Sequence, residues 1–201
     1  MKAFVTLEAK AMPLDLANVD TDQIIPARFL GLPRPDQVDA LFRDLRFGDN
    51  GEAVLTFPMN QTRFSGSKIL VVGNNFGCGS SRENAVTTLL DNGFECIIAP
   101  SFGDIFYNNC LQNGVLPIVI QHQRVVRLFD LLTTGSNHHV WVDLENQSLK
   151  FPDGTTEHFD IDSFRKSCLL KGLDAIDLTL SYSEAIEDYE KNRFIELEWQ
   201  V

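Results

Sequence analysis

Between Lys68 and Ile120 the chain alternates short apolar runs with segments of helical character, and that alternation leaves few folds open. Lys68–Gly73, Glu95–Ala99 and Val115–Ile120 are apolar runs of strand length. The stretch from Ser80 or Ser81 to Asn92 reads as a helix between the first two, with Gly93 as its C-cap. Ser101 to about Gln112 reads as a second, capped by Ser101 and closed by Gly114. Strand, helix, strand, helix and strand joined by short links predict parallel strands with right-handed crossovers. This is the centre of an α/β fold.

The flanks are predicted as follows. Residues 3–8 form a first strand, and Asn18-Val-Asp-Thr-Asp22 is a turn-prone polar cluster. An irregular loop holds Gly31, Pro33 and Pro35. Asp36–Arg46 is a helix with Asp36 as N-cap, and Val54–Phe57 is a short strand. After the centre come a helix from about His122 to Thr133 and a hairpin of His139–Leu144 with Ser148–Phe151. Pro152-Asp-Gly154 turns into a third short strand. A helix follows within Phe159–Gly172. The last helix is Ser181–Lys191, with Ser181 and Glu184 at capping-box spacing. No repeat or long linker interrupts the chain, so 1–201 reads as one domain, with 122–201 as a C-terminal elaboration packed on it.

Charge and cysteine usage narrow the function. The 201 residues carry a net charge of −11, which argues against nucleic acid as a partner. No Lys/Arg run suggests a membrane surface, and no apolar run approaches the roughly 20 residues of a membrane span. The N-terminus reaches charge too early for a signal peptide. Cys78, Cys96, Cys110 and Cys168 include no C-x-x-C pair, so a metal or iron–sulfur site built by this chain alone is not expected. Cys96, in an apolar run, reads as a buried small hydrophobe. Sparse unpaired cysteines suit a reducing cytoplasm.

Gly77-Cys78-Gly79-Ser80-Ser81-Arg82-Glu83 lies where the first central strand meets its helix. Ligands bind beyond the carboxyl ends of strands in such folds. The segment departs from the dinucleotide fingerprint at Arg82, lacks the Gly-Lys-Ser/Thr of a phosphate loop, and is not a hydrolase elbow. A cation in the first turn of a helix opposes the dipole at a cost of about 0.3–1 kcal/mol. An anionic ligand reconciles Arg82 with that place, and Arg suits bidentate carboxylate recognition. Serine becomes a base only where its alkoxide is stabilised, as helix N–H groups and a guanidinium can do.

Three other clusters carry competing readings. Asn18–Asp22 is either an Asx-rich turn or a source of carboxylates beside the serine turn. Ser101-Phe-Gly-Asp104-Ile-Phe-Tyr107-Asn108-Asn109 reads as an aromatic core helix, with Ser101 and the asparagines as candidates for the same cleft. His138–His139 reads as a solvated turn rather than a ligand pair. Cys78 is a candidate nucleophile without a histidine near it in sequence.

Together the motifs resemble the small subunit of 3-isopropylmalate dehydratase, the swivelling-domain half of the aconitase superfamily. They are Asn18-Val-Asp-Thr-Asp-Gln-Ile-Ile-Pro-Ala-Arg-Phe29, Asn75-Phe-Gly-Cys-Gly-Ser-Ser-Arg-Glu83, Ala99-Pro-Ser-Phe-Gly-Asp-Ile-Phe-Tyr107, Ile161-Asp-Ser-Phe-Arg165, Cys168 and Gly172-Leu-Asp174. The resemblance implies a swivelling β/β/α domain around the parallel unit, with a helical and hairpin extension. It implies a hydro-lyase of leucine biosynthesis that interconverts 2- and 3-isopropylmalate through isopropylmaleate. It also implies a large-subunit partner that holds a [4Fe–4S] cluster, so this chain ligates no metal.

Carried over by position, Ser80 matches the base and Asp22 an acidic residue of the active-site network. Ser81 and Arg82 match substrate-carboxylate contacts. Phe29-Leu-Gly-Leu-Pro-Arg34 falls where relatives read the variable substituent, with Leu30 and Leu32 suited to an isopropyl group and Arg34 to a carboxylate. The resembled pattern commonly continues with histidine after Glu83, where this chain has Asn84. Asparagine keeps a hydrogen-bonding role and loses titration near neutrality. A related dehydratase for another substituted malate or maleate, and a non-catalytic carboxylate-binding module, are the alternatives.

Overall fold

The computed structural model describes residues 1–196, with side chains to Arg193; residues 197–201 of the expected domain lie outside the described part. In chain order the elements are β1 (Thr6–Leu14), α1 (Thr21–Ile24), α2 (Arg34–Gln37), α3 (Arg43–Arg46), β2 (Ile69–Val72), α4 (Glu83–Asp91), β3 (Cys96–Ala99) and α5 (Asp104–Gln112). There follow β4 (Leu116–Val119), α6 (His122–Thr134), β5 (His139–Asp143), β6 (Ser148–Lys150), β7 (Thr156–His158), α7 (Ser163–Lys171), α8 (Ala175–Leu180) and α9 (Ser183–Glu196). The strands join in one sheet of order β4-β3-β2-β1-β5-β6-β7.

β1 is longer than the predicted strand and serves two partners in succession. Thr6–Lys10 pair antiparallel with β5, while Ala11–Leu14 pair parallel with β2. Burial follows the change: exposed and buried residues alternate up to Lys10, and Ala11–Leu14 are all buried. One-sided burial gives alternation, whereas a parallel sheet covered on both faces gives a continuous apolar run. Pro13 fits because its missing N–H faces the side where β5 has already ended.

The central runs divide between two cores by the strand period of two. Ile69, Val71, Cys96, Ile98, Leu116 and Ile118 join Val125, Leu128 and Leu132 of α6 on one face. Leu70, Val72, Ile97 and Ala99 join Ala85, Val86 and Leu89 of α4 and Phe106 and Cys110 of α5 on the other. The parallel βαβαβ unit predicted for 68–120 is therefore present, with its register set by burial on both faces.

Four local expectations change. The helix predicted over Asp36–Arg46 is split into α2, a 3-10 turn at Val38–Ala40 and α3, because Phe42 takes φ 51° to bury its ring against Phe57. Pro33, not Asp36, precedes α2. Val54–Phe57 forms no strand; Val54 N–H donates to the Arg46 carbonyl, and Pro58 begins a 3-10 turn. The last helix is displaced: Asp174 and Asp177 make a capping box for α8, and Ser181 ends that helix rather than starting the next. His139 is exposed, as expected, but His138 is half-buried: its ring stands edge-on to Phe64 at 5.2 Å, and partial burial with nearby Arg63 holds its pKa below the ordinary histidine value.

Candidate active site

The loops leaving β1, β2 and β3 meet at the carboxyl edge of the parallel strands. Gly77 N–H donates to the Val19 carbonyl at 2.8 Å, and Thr21 N–H donates to the Cys78 carbonyl at 3.0 Å. Asp20 and Cys78 thereby form a short parallel bridge, and Phe76 and Phe102 form another. Phe76 N–H donates to the Ser101 carbonyl at 3.1 Å, and Gly103 N–H returns to the Phe76 carbonyl at 2.9 Å. The turn from Asn75 to Arg82 is thus stitched by backbone to both neighbouring loops.

An aromatic pin fixes it from below. The buried Phe76 ring meets Phe106 of α5 edge-on at 5.4 Å, and Phe102 stacks on Phe106 at 6.3 Å. Gly77 has φ 71°, and a Cβ there would run into the Phe106 ring. Gly79 also has a positive φ, 90°, but the nearest atom to its Cβ would be Asp20 Cβ at 3.5 Å. Gly77 is therefore required by conformation and by space, and Gly79 by conformation alone.

Ser80 and Ser81 are exposed. Thr21 Oγ1 donates to the Ser80 carbonyl at 3.0 Å, which pins the backbone, while neither serine hydroxyl has a partner among the described residues. Arg82 is the N-cap of α4 in an extended conformation, not a residue of the first turn, so the expected opposition to the dipole is reduced. It makes no side-chain cap bond; its carbonyl accepts from Ala85 N–H at 3.3 Å, and the N–H groups of Glu83 and Asn84 have no acceptor among the described residues. Ser80 and Ser81 precede the helix and do not cap it.

The Arg82 guanidinium meets Asp22 end-on: Nη2 donates to Oδ2 at 2.8 Å and Nη1 donates to Oδ1 and to the Ile25 carbonyl. Among the described residues no acceptor meets its Nε–H. The Arg82 side chain is 15% exposed and that of Asp22 55%. The hydrogen bond from Arg82 holds the Asp22 carboxyl below its ordinary pKa; slight burial opposes this, and the Ala27 N–H at 3.1 Å adds to it. Asp20 is committed elsewhere, as the N-cap of α1 in a box with Gln23. Within Asn18–Asp22, Asp20 thus serves the turn and Asp22 is the carboxylate that reaches Arg82.

The other expected site residues are placed unequally. Leu30 packs partly against the core, and Leu32 is 42% exposed. Arg34 does not face the serine turn's anion site with a free fork: Nε and Nη2 bind both oxygens of Asp91, at the far end of α4, at 2.7 and 2.8 Å. Ser101 Oγ accepts from Asn75 N–H at 2.9 Å and supports the turn, while Asn108 Nδ2 returns to the Asp104 carbonyl of its own helix. Cys78 donates its thiol to the Asn18 carbonyl at 3.6 Å. Sequence reasoning missed Thr21 and the buried Gln37; a hydroxyl inside a turn and a glutamine in a short helix carry no periodic signal.

Cys96 and Cys110 are fully buried, and desolvation pushes both thiols far above their ordinary pKa. Both are packed among apolar side chains of the core. Among the described residues no group of three or more His, Cys, Asp or Glu is placed to hold a metal ion.

The parallel unit with a serine-bearing turn at its carboxyl edge defines the class. The family model for the aconitase C-terminal domain matches residues 1–123, and the LeuD_N model matches 126–163. The 3-isopropylmalate dehydratase small subunit of Rhodopseudomonas palustris strain BisA53 is 50% identical over 200 residues, covering 99% of this chain and 100% of that one. Its counterpart in Parvibaculum lavamentivorans is 49% identical over 192 residues, covering 95% and 96%. The chain belongs to the 3-isopropylmalate dehydratase small-subunit family. A solved structure of 3-isopropylmalate dehydratase from Methanocaldococcus jannaschii shares the fold, with TM-score 0.65 and 23% identity over 92% of this chain and 99% of that one.

Proposed function

We propose that this chain completes the active site of a hydro-lyase that interconverts 2- and 3-isopropylmalate through isopropylmaleate, acting in the cytoplasm with a large subunit. The observation that carries this reading is one turn that bears both an exposed Ser80 hydroxyl and a guanidinium anchored on Asp22, each with a donor unclaimed among the described residues. In this role Ser80 removes the proton alpha to a substrate carboxylate. That carboxylate lies on the Nε edge of Arg82, with Ser81 and the open N–H groups of α4 as further donors. Asp22 stays ionised and holds Arg82 in pose. Leu30 and Leu32 meet the isopropyl group.

In this reading a [4Fe–4S] cluster held by the large subunit would supply Lewis acidity toward the departing hydroxyl; the burial of Cys96 and Cys110 in the core of this chain supports that assignment. The four cysteines are free, as suits a reducing compartment. Arg34, tied to Asp91, shapes the loop and is not assigned to a carboxylate. We read 1–201 as one domain with 122–201 as its C-terminal elaboration; that β5–β7 extend the sheet from β1 supports the reading.

The test is co-expression with the cognate large subunit and anaerobic assay of isopropylmaleate formation. A stable complex that turns over 2-isopropylmalate supports the reading. A stable complex that prefers another alkylmalate transfers it to a related dehydratase, and a complex inactive on all of them points to a binding module.

A further inference from the structure

Gln37 is a polar side chain only 4% exposed, lying between the Phe29–Arg34 loop and α4. Its Nε2 donates to the Leu32 carbonyl at 2.8 Å and more weakly to the Leu30 carbonyl at 3.5 Å. Its Oε1 accepts from Asn84 Nδ2 at 2.9 Å. A backbone carbonyl only accepts, so Leu32 fixes which end of the Gln37 amide faces the loop. Asn84 must then donate. This chain of bonds runs from the backbone of the loop, through a buried amide, to the first turn of the helix that Arg82 caps.

Two further ties lay the same segment along α4. Arg34 grips Asp91, and Asn92 Nδ2 donates to the Val38 carbonyl at 2.9 Å. Neither reaches the carbonyls of the two leucines. Among the described residues, Gln37 is the side chain that holds the two leucine carbonyls and joins them to α4, while the 3-10 turn at Ala27–Phe29 and core packing of Leu30 hold the rest of the loop.

We infer that Gln37 and Asn84 are positioning residues that set the size preference for the substrate's alkyl substituent by tying the Leu30–Leu32 backbone to α4. The inference rests on the reading that this loop meets the substituent. A hydrophobic pocket discriminates by contact, so a shift of the loop backbone weakens selection for the larger group first. Asn84 has this task where a histidine stands in the resembled pattern. An imidazole carries its Nδ1 at the same branch position as the asparagine amide and can donate there.

The test uses the reconstituted two-subunit enzyme and the ratio of kcat/KM for 2-isopropylmalate to that for 2-methylmalate. Asn84→Asp keeps the shape, removes the donor and turns a carboxylate toward the Gln37 Oε1, so a merely structural role predicts lower thermal stability with an unchanged ratio. We expect the ratio to fall about tenfold, through KM for the isopropyl substrate. Gln37→Met should give the same fall, and Asn84→His should preserve the ratio. Wild-type preference retained in both Asn84→Asp and Gln37→Met, whatever their thermal stability, overturns the inference alone. A wild-type enzyme with no preference for the isopropyl group overturns the loop reading and this inference with it.

Discussion

The serine turn leads into α4, the Phe29–Arg34 loop is tied along that helix, and the two are held by opposite means. The turn is bound by backbone: Gly77 to Val19, Thr21 to Cys78, Phe76 to Ser101, over a buried aromatic pin. The loop is tied to α4 by side chains: Arg34 to Asp91, and Gln37 between Leu32 and Asn84. Backbone bonds do not depend on side-chain identity, so the turn keeps its geometry under most substitutions. Side-chain ties change with single residues. A proton-transfer group needs the first arrangement, because small misplacements cost rate steeply. A surface that sorts substituents gains from the second, because exchanging one side chain moves it without touching the chemistry.

The hardest test of that contrast is Ser80→Ala. The hydroxyl makes no bond within the described protein, so its loss should leave folding and complex formation unchanged. Turnover should fall by about 10²–10⁴ in kcat, the range of a positioned acid–base group. Full turnover in a normally assembled complex would remove Ser80 from the mechanism. Next comes the scaffold. Gly77→Ala must adopt φ 71° and displace Phe106, which should destabilise the fold by about 2–5 kcal/mol in chemical denaturation. Gly79→Ala carries the backbone cost without the clash, so about 1–2 kcal/mol is expected. Equal losses would mean that the aromatic pin does not define the turn.

Asp22 links the two regions through Arg82, and its pH behaviour has a definite sign. Its pKa is lower in the fold because Arg82 bonds its charged form. A carboxylate of this kind stabilises the fold above its unfolded pKa, and that contribution is lost as pH falls through the folded value. The tether is therefore intact at neutrality and weakens only below the ordinary aspartate value of about 3.9. An NMR titration should place the Asp22 midpoint below that value, and Arg82→Gln should return it upward. Asp22→Asn removes the charge at every pH and should raise KM for the dicarboxylate about tenfold, with a smaller change in kcat. A loss confined to kcat would assign Asp22 to proton transfer instead.

How far these features were legible in the sequence follows from the same contrast. The parallel unit could be read because each strand is buried on both faces and each link is short. Gly77, Ser80 and Arg82 could be read because a motif with glycines at fixed offsets is a local signal. The loop was read less well. Its shape depends on Phe42 turning inward at a positive φ, which breaks an otherwise helical apolar spacing over Asp36–Arg46. Arg34 suggested a carboxylate, and the carboxylate it meets is Asp91, distant in sequence and brought near only by packing. The commitment of Gln37 to a backbone carbonyl and to Asn84 leaves no periodic trace. Single tertiary hydrogen bonds are the part of a structure that pattern reading cannot supply.

The mildest perturbation separates the two kinds of tie. Arg34→Gln breaks the bidentate pair with Asp91, whose side chains are 55% and 24% exposed. An ion pair this open is worth less than about 1 kcal/mol, so the melting temperature should barely change. If Gln37 alone fixes the Leu30 and Leu32 carbonyls, substituent preference should also hold within about twofold. Raised salt should then reproduce the Arg34→Gln enzyme in the wild type, because screening weakens an exposed ion pair far more than a buried amide contact. A marked loss of preference in Arg34→Gln, reproduced by salt, would move control of the loop from the buried amide to the ion pair at the far end of α4.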